Sequence, residues 1–510
     1  MNTTIYLDCN ATTPVLPTAL AAAQEAMGAV FGNPSSTHAT GVQARQWVDA
    51  VRARAARVLG AGAGDVLFTS GATEGIQTAV LSALCAVRDR LARGEAVGKL
   101  LVYGATEHKA VPESLAHWNR VLGLHLELQA LPVARSGRHD LAALRALAPR
   151  AALVCTMAAN NETGVVSDLA GIEAVLQDVA PQAYWLVDCV QALGKLPLHL
   201  AQTRIDYAPF SGHKLYAPKG IGLLYVRPGA PFTPLMAGGG QEDGLRSGTE
   251  NMVGIAALGA VLQALEEGGS FSSHSQMLQF RELLTLSLRA VWPEIIFNAD
   301  FNDSLPTTLN FSVPGLPGSA VVDALGAVGV QVSAGSACSA KKAAPSYVLQ
   351  AMGVPAWQAA SAVRMSFGAM ADADFIAAAC ARIARCGAGL QARAAAAEAM
   401  RCGPPLEADP AMHLVPAELA DFFQQHPGAV LVDVREPQEH AADPQPLGCG
   451  RTALNVPLGS LESRLAEWLG AAPAPLVFVC RSGQRSQRAV HTLRHLGYAQ
   501  AWQLKDADAI

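Results

Sequence analysis

"FSGHKLYAPKGIG", residues 210–222, places a serine, a histidine and a lysine between the end of one apolar run and the start of the next, "GIGLLYV" (220–226). Working outward, similar runs recur as "DVLFTS" (65–70), "KLLVYG" (99–104), "AALVCTM" (151–157) and "AYWLVDC" (183–189). Short apolar runs separated by helical stretches predict a mainly parallel sheet covered on both faces. In such a sheet ligands collect beyond the carboxyl ends of the strands. That position makes Lys214 a candidate site residue.

The other strand ends carry compatible chemistry. "SGATEG" (70–75) supplies Ala72 and Thr73, "TEHKA" (106–110) supplies His108, and "ANNETG" (159–164) supplies Asn161. "DCVQ" (188–191) supplies Asp188 and Gln191, and "FSGHKLYAPKG" (210–220) adds Ser211 and His213 to Lys214. This set suits pyridoxal 5'-phosphate: a lysine anchors the cofactor, and an aspartate keeps the pyridine nitrogen protonated so that the ring acts as an electron sink. Its phosphate needs N–H groups at a helix N-terminus, which "SGATEG" before "IQTAVLSAL" (76–84) is placed to give. Taken singly, each piece has a plain reading as an N-cap, a helix cap or a solvated lysine. Their joint appearance at successive strand ends favours the cofactor.

Near the C-terminus, "VFVCRSGQRSQRA" (477–489) poses a separate question. Pro475 to Val479 reads as a buried strand, and Ala489, Leu493 and Leu496 fall on one face of a helix that Gly497 would cap. Cys480 then sits between a strand end and a helix N-terminus. Loop N–H groups, the helix dipole, Arg481 and Arg485 would favour its thiolate. A structural thiol has no use for such surroundings, so a reactive cysteine is expected.

Composition narrows the classes. A chain of 510 residues predicts two or three domains, and 51% hydrophobic against 15% charged residues marks it as globular. A net charge of −5 gives no electrostatic reason for nucleic-acid binding. "MNTTIYLDCN" (1–10) lacks the features of a signal peptide, and no segment approaches the ~20 apolar residues of a membrane span. The 10 cysteines lack paired short spacings, so neither a disulfide framework nor a metal site is expected, and a cytoplasmic setting is the simplest. The expected division is a large α/β domain (1–255), a small α+β domain (256–395), a linker (396–413) that includes the proline-rich "RCGPPLEADPA" (401–411), and a C-terminal α/β unit (414–510).

Taken together, the motifs from "YLDCNATTP" (6–14) to about residue 390 resemble the cysteine desulfurases, pyridoxal-phosphate enzymes of the class V aminotransferase family with the aspartate aminotransferase fold. The resemblance implies that Lys214 holds the cofactor, Asp188 pairs with the ring nitrogen, Gln191 bonds the ring hydroxyl and His108 stacks on the ring. It implies that Thr73, Ser211 and His213 hold the phosphate, with Ala72 beside them, and that Asn161 lies next to the ring. Thr249 in "LRSGTEN" (245–251) would reach the phosphate of a neighbouring subunit, which implies a homodimer. Arg364 in "VRMSFG" (363–368) would clamp the substrate carboxylate, and Asn33 in "FGNPSS" (31–36) is a second substrate candidate. Cys9 and Cys189 stand where the family usually has other residues and read as packing variants.

"VSAGSACSAKKAAPSYVL" (332–349) begins with the small residues of a mobile loop, and the resemblance places the persulfide-forming nucleophile at Cys338. Lys341 and Lys342 would bias it toward thiolate if they stay close. The implied reaction converts L-cysteine to L-alanine and leaves a persulfide on Cys338. "VFVCRSGQRSQRA" and "AVLVDVREPQEH" (429–440) resemble a rhodanese domain, whose active-site loop is Cys480, Arg481, Ser482, Gly483, Gln484 and Arg485. Two flanks depart from that family's pattern, "GCGRTALNVP" (448–457) and "LKDADAI" (504–510). Cys480 is then the next sulfur carrier, feeding an iron–sulfur scaffold, tRNA thiolation or another acceptor protein. Selenocysteine lyase activity, and a rhodanese-like unit that only docks partners, are the alternatives. A plain aminotransferase would not need Cys338.

Overall fold

The computed structural model describes residues 4–334 and 345–400, the last of these from 387 by backbone alone. In the C-terminal part it describes 413–436, 439–440, 451–458, 474–481, 483–495 and 497–504, with 461, 464 and 468. Packing separates two compact units, Met1–Val322 with Gly329–Ala384, and Asp323–Val328 with Arg385–Ile510.

The first unit opens with strand β1 (Ile5–Tyr6) and helices α1 (Pro17–Gly28) and α2 (Ala39–Leu59). The His38 ring caps the start of α2 by accepting the Gly41 N–H at 3.3 Å, and Gly60 ends the helix at a left-handed φ of 58°. Then follow β2 (Asp65–Thr69), α3 (Ala72–Ala92), β3 (Leu100–Gly104), α4 (Ala110–Val121), β4 (Glu127–Leu131) and α5 (Leu141–Leu147). Next come β5 (Ala151–Met157), α6 (Leu169–Val179), β6 (Tyr184–Asp188), β7 (Tyr207–Ser211) and β8 (Gly222–Val226). The strands form a seven-stranded sheet in the order β2-β8-β7-β6-β5-β3-β4. β8 runs antiparallel to β2 and β7, and the other pairings are parallel.

Every residue of β5 and β8 is buried, as a sheet covered on both faces requires. Ile76 and Leu84 of α3 join Leu101, Leu153, Leu186 and Leu224 in one core cluster. The reversal at β8 has a useful consequence. It leaves β2, β3, β5, β6 and β7 pointing the same way, so their carboxyl ends share one edge.

After α7 (Met252–Glu267) and α8 (His274–Val291) come β9 (Ile296–Phe297), β10 (Thr308–Ser312), α9 (Gly318–Ala327), β11 (Val330–Gln331) and β12 (Ser333–Ala334). α10 (Tyr347–Ala351), α11 (Ala356–Ala360), β13 (Val363–Ser366) and α12 (Ala373–Met400) complete the series. An antiparallel sheet runs β12-β13-β10-β9. β1 pairs in parallel with β11, and Asp8 bridges Ser366. The chain's first residues therefore fold onto this second sheet and set Asp8 beside β13.

The second unit contains β14 (His413–Leu414), α13 (Pro416–Gln425), β15 (Val430–Asp433), β16 (Leu454–Asn455), β17 (Leu476–Val479), α14 (Gln484–His495) and β18 (Ala501–Leu504). All pairings in its five-stranded sheet, β14-β18-β17-β15-β16, are parallel. Alternate side chains go to opposite faces: Val432, Phe478 and Leu493 join one cluster, and Leu431, Val477 and Val479 the other. Leu496 lies outside the described residues, while Gly497 follows α14 at φ 91°.

Candidate active site

Where β2, β3, β5, β6 and β7 end, a cavity of about 530 Å³ opens, a size usual for small-molecule sites. It gathers Ala72 and Thr73 from the start of α3, His108 from the loop after β3, and Asn161 from the loop after β5. Asp188 and Gln191 enter from the end of β6, and Ser211, His213 and Lys214 from the end of β7. Arg364 reaches the same cavity from β13 of the second sheet.

Lys214 Nζ donates to the carbonyls of Asn10 and Ala11, each at 2.7 Å. Burial pushes the Asp188 carboxyl up, while the Val190 N–H at 2.9 Å, His108 and Lys214 pull it down. Burial also holds the His108 imidazolium below its ordinary value, with Asp188 opposing and Lys214 and Lys109 assisting. His108 Nδ1 accepts the Ala110 N–H at 3.2 Å, which leaves the proton of the neutral ring on Nε2. His213 is pushed down to about 4 by burial and by the neighbouring Lys214 and Lys219, and its Nδ1 lies 3.1 Å from Thr12 Oγ1.

Arg364 is only 2% exposed. Its Nη2 donates to Asp8 Oδ1 at 2.7 Å and its Nη1 to the Asn161 carbonyl at 3.1 Å, but its Nε has no hydrogen-bond partner among the described residues. Asn161 Oδ1 is likewise buried and unpartnered. Two polar atoms buried without partners in a cavity wall indicate a ligand, because each costs free energy while unsatisfied.

Further lining residues escaped the motif reading. Asn10 links three parts of the wall, accepting Lys214 on its carbonyl and donating from Nδ2 to Thr308 Oγ1 at 2.9 Å and the Asn161 carbonyl at 3.2 Å. Glu162 accepts the Ser346 hydroxyl at 2.5 Å, and burial raises its carboxyl to about 7 against the pull of Ser346, Arg364 and Lys109. Both sit inside quoted motifs, yet their partners are distant in sequence. Thr249 is exposed and lines a separate hollow of about 220 Å³ with Ser70 and Gly220. Asn33 is exposed, lies outside the cavity wall, and turns its Oδ1 to the Ser35 N–H at 2.9 Å. Cys338, Lys341, Lys342 and Ser482 lie outside the described residues.

The residues present fit pyridoxal phosphate. The N-terminus of α3 has no side-chain cap, and Gly71 before it takes φ 153°, a conformation that side chains rarely adopt. Free N–H groups there, with Ser211 close by, make an anion cradle. A buried carboxylate, a lysine and an unpartnered guanidinium edge complete the donor set.

In the second unit, Cys480 follows β17 and is 1% exposed. Its Sγ receives the Ser486 N–H at 3.2 Å and lies 3.5 Å from Ser486 Oγ. Gly483 shapes the loop with φ 73°, and Gln484 starts α14. The two arginines are placed differently. Arg481 is exposed, whereas Arg485 is held by Glu439 through Nη1 at 2.5 Å and Nη2 at 3.0 Å. That pairing offsets the charge expected to favour the Cys480 thiolate. The described part of the departing flank "GCGRTALNVP" packs onto its own unit: Asn455 Nδ2 donates to the carbonyls of Asp433 and Arg435, and Arg451 lies 4.9 Å from the centre of the Phe423 ring.

Among the described residues, no helix is long and apolar enough to cross a membrane. The model of the aminotransferase class-V family matches residues 5–378, and that of the rhodanese-like domain matches 415–506. A cysteine desulfurase of Cereibacter sphaeroides is 39% identical over 364 residues, covering 71% of this chain and 90% of its own. One from Gluconacetobacter diazotrophicus is 37% identical over 365 residues, covering 71% and 88%. Among solved structures, a NifS-like protein superposes with a TM-score of 0.65 at 30% identity, covering 75% of this chain and 99% of its own. DndA from Streptomyces lividans gives a TM-score of 0.57 at 32% identity, covering 70% and 97%. The chain therefore belongs to the class-V aminotransferase family, as a pyridoxal-phosphate-dependent cysteine desulfurase that carries a rhodanese-like domain.

Proposed function

We propose that the cavity at the strand ends desulfurates L-cysteine, that Cys338 receives the sulfur, and that Cys480 takes it next. The carrying observation is the convergence of Lys214, Asp188, His108 and Arg364 on one cavity. Bound pyridoxal phosphate supplies the electron sink that acidifies the substrate Cα–H and makes its sulfur electrophilic. The chain does the rest. Asp188 would pair with the ring nitrogen, Gln191 with the ring hydroxyl, and His108 and Asn161 would hold the ring. Thr73, Ser211 and His213 take the phosphate at the start of α3, next to Ala72. Arg364, braced by Asp8, offers its unpartnered edge to the substrate carboxylate. Lys214 Nζ would anchor the cofactor and is the base placed to take the substrate's α-proton. Neutral His108 handles the substrate thiol proton.

Cys338 Sγ attacks the substrate sulfur: the C–S bond breaks, an S–S bond forms, and the carbon takes up a proton to leave as L-alanine. Cys480 Sγ then attacks the outer sulfur of that persulfide, breaking its S–S bond, forming a new one and regenerating the Cys338 thiol. Because both cysteines are on one chain, the second transfer is intramolecular, which raises the effective concentration of the acceptor thiol over that of a dilute free one. Exposed Thr249, with Leu20, Met27 and Phe31 exposed at 53%, 59% and 69%, supports a homodimer. The reading adds, from the sequence alone, a cytoplasmic setting and delivery to an iron–sulfur scaffold, tRNA thiolation or another sulfur carrier. A second reading, in which the rhodanese-like domain only docks partners, is favoured by the enclosed Cys480 and by Arg485 bound to Glu439.

Intact-mass analysis after L-cysteine treatment tests the first step. The expected result is alanine release matched by added sulfur that maps to Cys338. Alanine without protein-bound sulfur, or sulfur gained normally by Cys338→Ser, rules the assignment out.

A further inference from the structure

Lys195 lies behind the cavity wall, one layer away from the residues already given roles. Its Nζ donates to Gln191 Oε1 at 2.6 Å and to Asn10 Oδ1 at 3.2 Å. Gln191 Nε2 in turn donates to the Asn10 carbonyl at 3.3 Å, the same carbonyl that receives Lys214 Nζ at 2.7 Å. Lys195 thus braces both the glutamine and the residue that holds the active lysine. Its aim depends on a sharp turn. Gly194 takes φ 74°, a conformation that favours glycine, and a Cβ there would lie 2.5 Å from Leu215 Cδ1, so a side chain would strain the bend.

We propose that Lys195 is a positioning residue for the cofactor: it turns the Gln191 amide so that N–H, not carbonyl, faces the cavity, and its ammonium adds positive potential where the phenolic oxygen of the pyridoxal ring would sit. This rests on the cofactor reading of the cavity. An amide carries two N–H donors and one carbonyl, and a cation on the carbonyl side fixes which end faces inward. The groups acting on Lys195 are the Cys9 thiol, Lys214 and Arg364, with no carboxylate among them. Burial, opposed by Cys9 and aided by Lys214 and Arg364, lowers the ammonium to about 8. Among the described residues no carboxylate pairs with this part-buried ammonium, and an anionic oxygen beyond Gln191 would offset part of its desolvation cost. A purely structural lysine would gain nothing from such a neighbour.

The test is a pH titration of the visible absorbance of the pyridoxal-phosphate-loaded protein. A nearby cation favours the deprotonated chromophore, so Lys195→Gln, which keeps a hydrogen-bonding group without charge, should raise the midpoint by about one pH unit, a roughly tenfold change in proton affinity. Lys195→Arg should restore the wild-type midpoint, and Lys195→Met should also raise it. Cofactor affinity, read by equilibrium dialysis, should fall several-fold in the uncharged variants and hold in Lys195→Arg. A fully loaded Lys195→Gln protein with the wild-type midpoint overturns the proposal, as does a Lys195→Arg protein that behaves like Lys195→Gln. Wild-type protein that takes up no pyridoxal phosphate would overturn the cofactor reading itself and is distinguishable by the absent band.

Discussion

Lys214 is held by the carbonyls of Asn10 and Ala11, which are 204 and 203 positions away in sequence, whereas Cys480 is held by Ser486, only 6 positions on. The first site is assembled by the whole fold, from one end of the large sheet, from β13 and from the chain's opening residues. The second comes from a single strand–loop–helix turn. A long-range site can bring several charges together and shift their protonation, as at Asp188, His108 and Glu162. A local turn can offer its sulfur an N–H group and little else, and here its Arg485 is already committed to Glu439. The contrast suits the proposed division of labour, in which the substrate C–S bond is broken at the first site and a persulfide sulfur is passed on by exchange at the second.

The contrast can be broken most sharply at Lys214. Lys214→Ala should lower turnover by roughly a thousandfold or more and abolish borohydride trapping of the cofactor. A trappable adduct on another lysine would remove Lys214 from the role. Next comes Arg364. Arg364→Ala should raise the KM for L-cysteine by about 10- to 100-fold, and Arg364→Lys should recover only part of it, because a lysine cannot present the same fork. Steady-state kinetics with an unchanged KM would show that the carboxylate binds elsewhere.

Glu162 offers a pH test. With its carboxyl raised to about 7, it is largely neutral below that pH and charged above it. Charge beside Arg364 opposes an anionic substrate, so KM should rise a few-fold as pH passes through about 7, and Glu162→Gln should flatten the rise. A KM profile in Glu162→Gln identical to wild type contradicts this. The smallest effect belongs to the local site. Glu439→Gln frees Arg485, and alkylation of Cys480 should quicken by about two- to fivefold with little change in Tm, since exposed ion pairs contribute little to stability. An unchanged alkylation rate would mean that Arg485 does not act on the sulfur.

The same contrast explains what could be read in advance. The parallel sheet was legible because apolar runs such as "AALVCTM" become strands buried on both faces. The cavity's contributors were legible because strand ends share an edge. Cys480's position was legible for a simpler reason, since strand, loop and helix are contiguous. What stayed hidden were contacts made by folding back: Asp8 bracing Arg364 across 356 positions, and Glu162 meeting Ser346 across 184. Nothing in "YLDCNATTP" says that Asn10 will carry Lys214 on its carbonyl, because backbone acceptors leave no mark on residue type. The pairing of Arg485 with Glu439 escaped similarly, across 46 positions.

The measurement that bears most directly on the division of labour follows sulfur-35 from L-cysteine through wild type, Cys338→Ser and Cys480→Ser, with label mapped by peptide. The account predicts label on both cysteines in wild type, on Cys338 alone in Cys480→Ser, and on neither in Cys338→Ser. Label on Cys480 in the Cys338→Ser protein, or its absence from Cys480 in wild type, would contradict the relay and leave the C-terminal domain as a docking module.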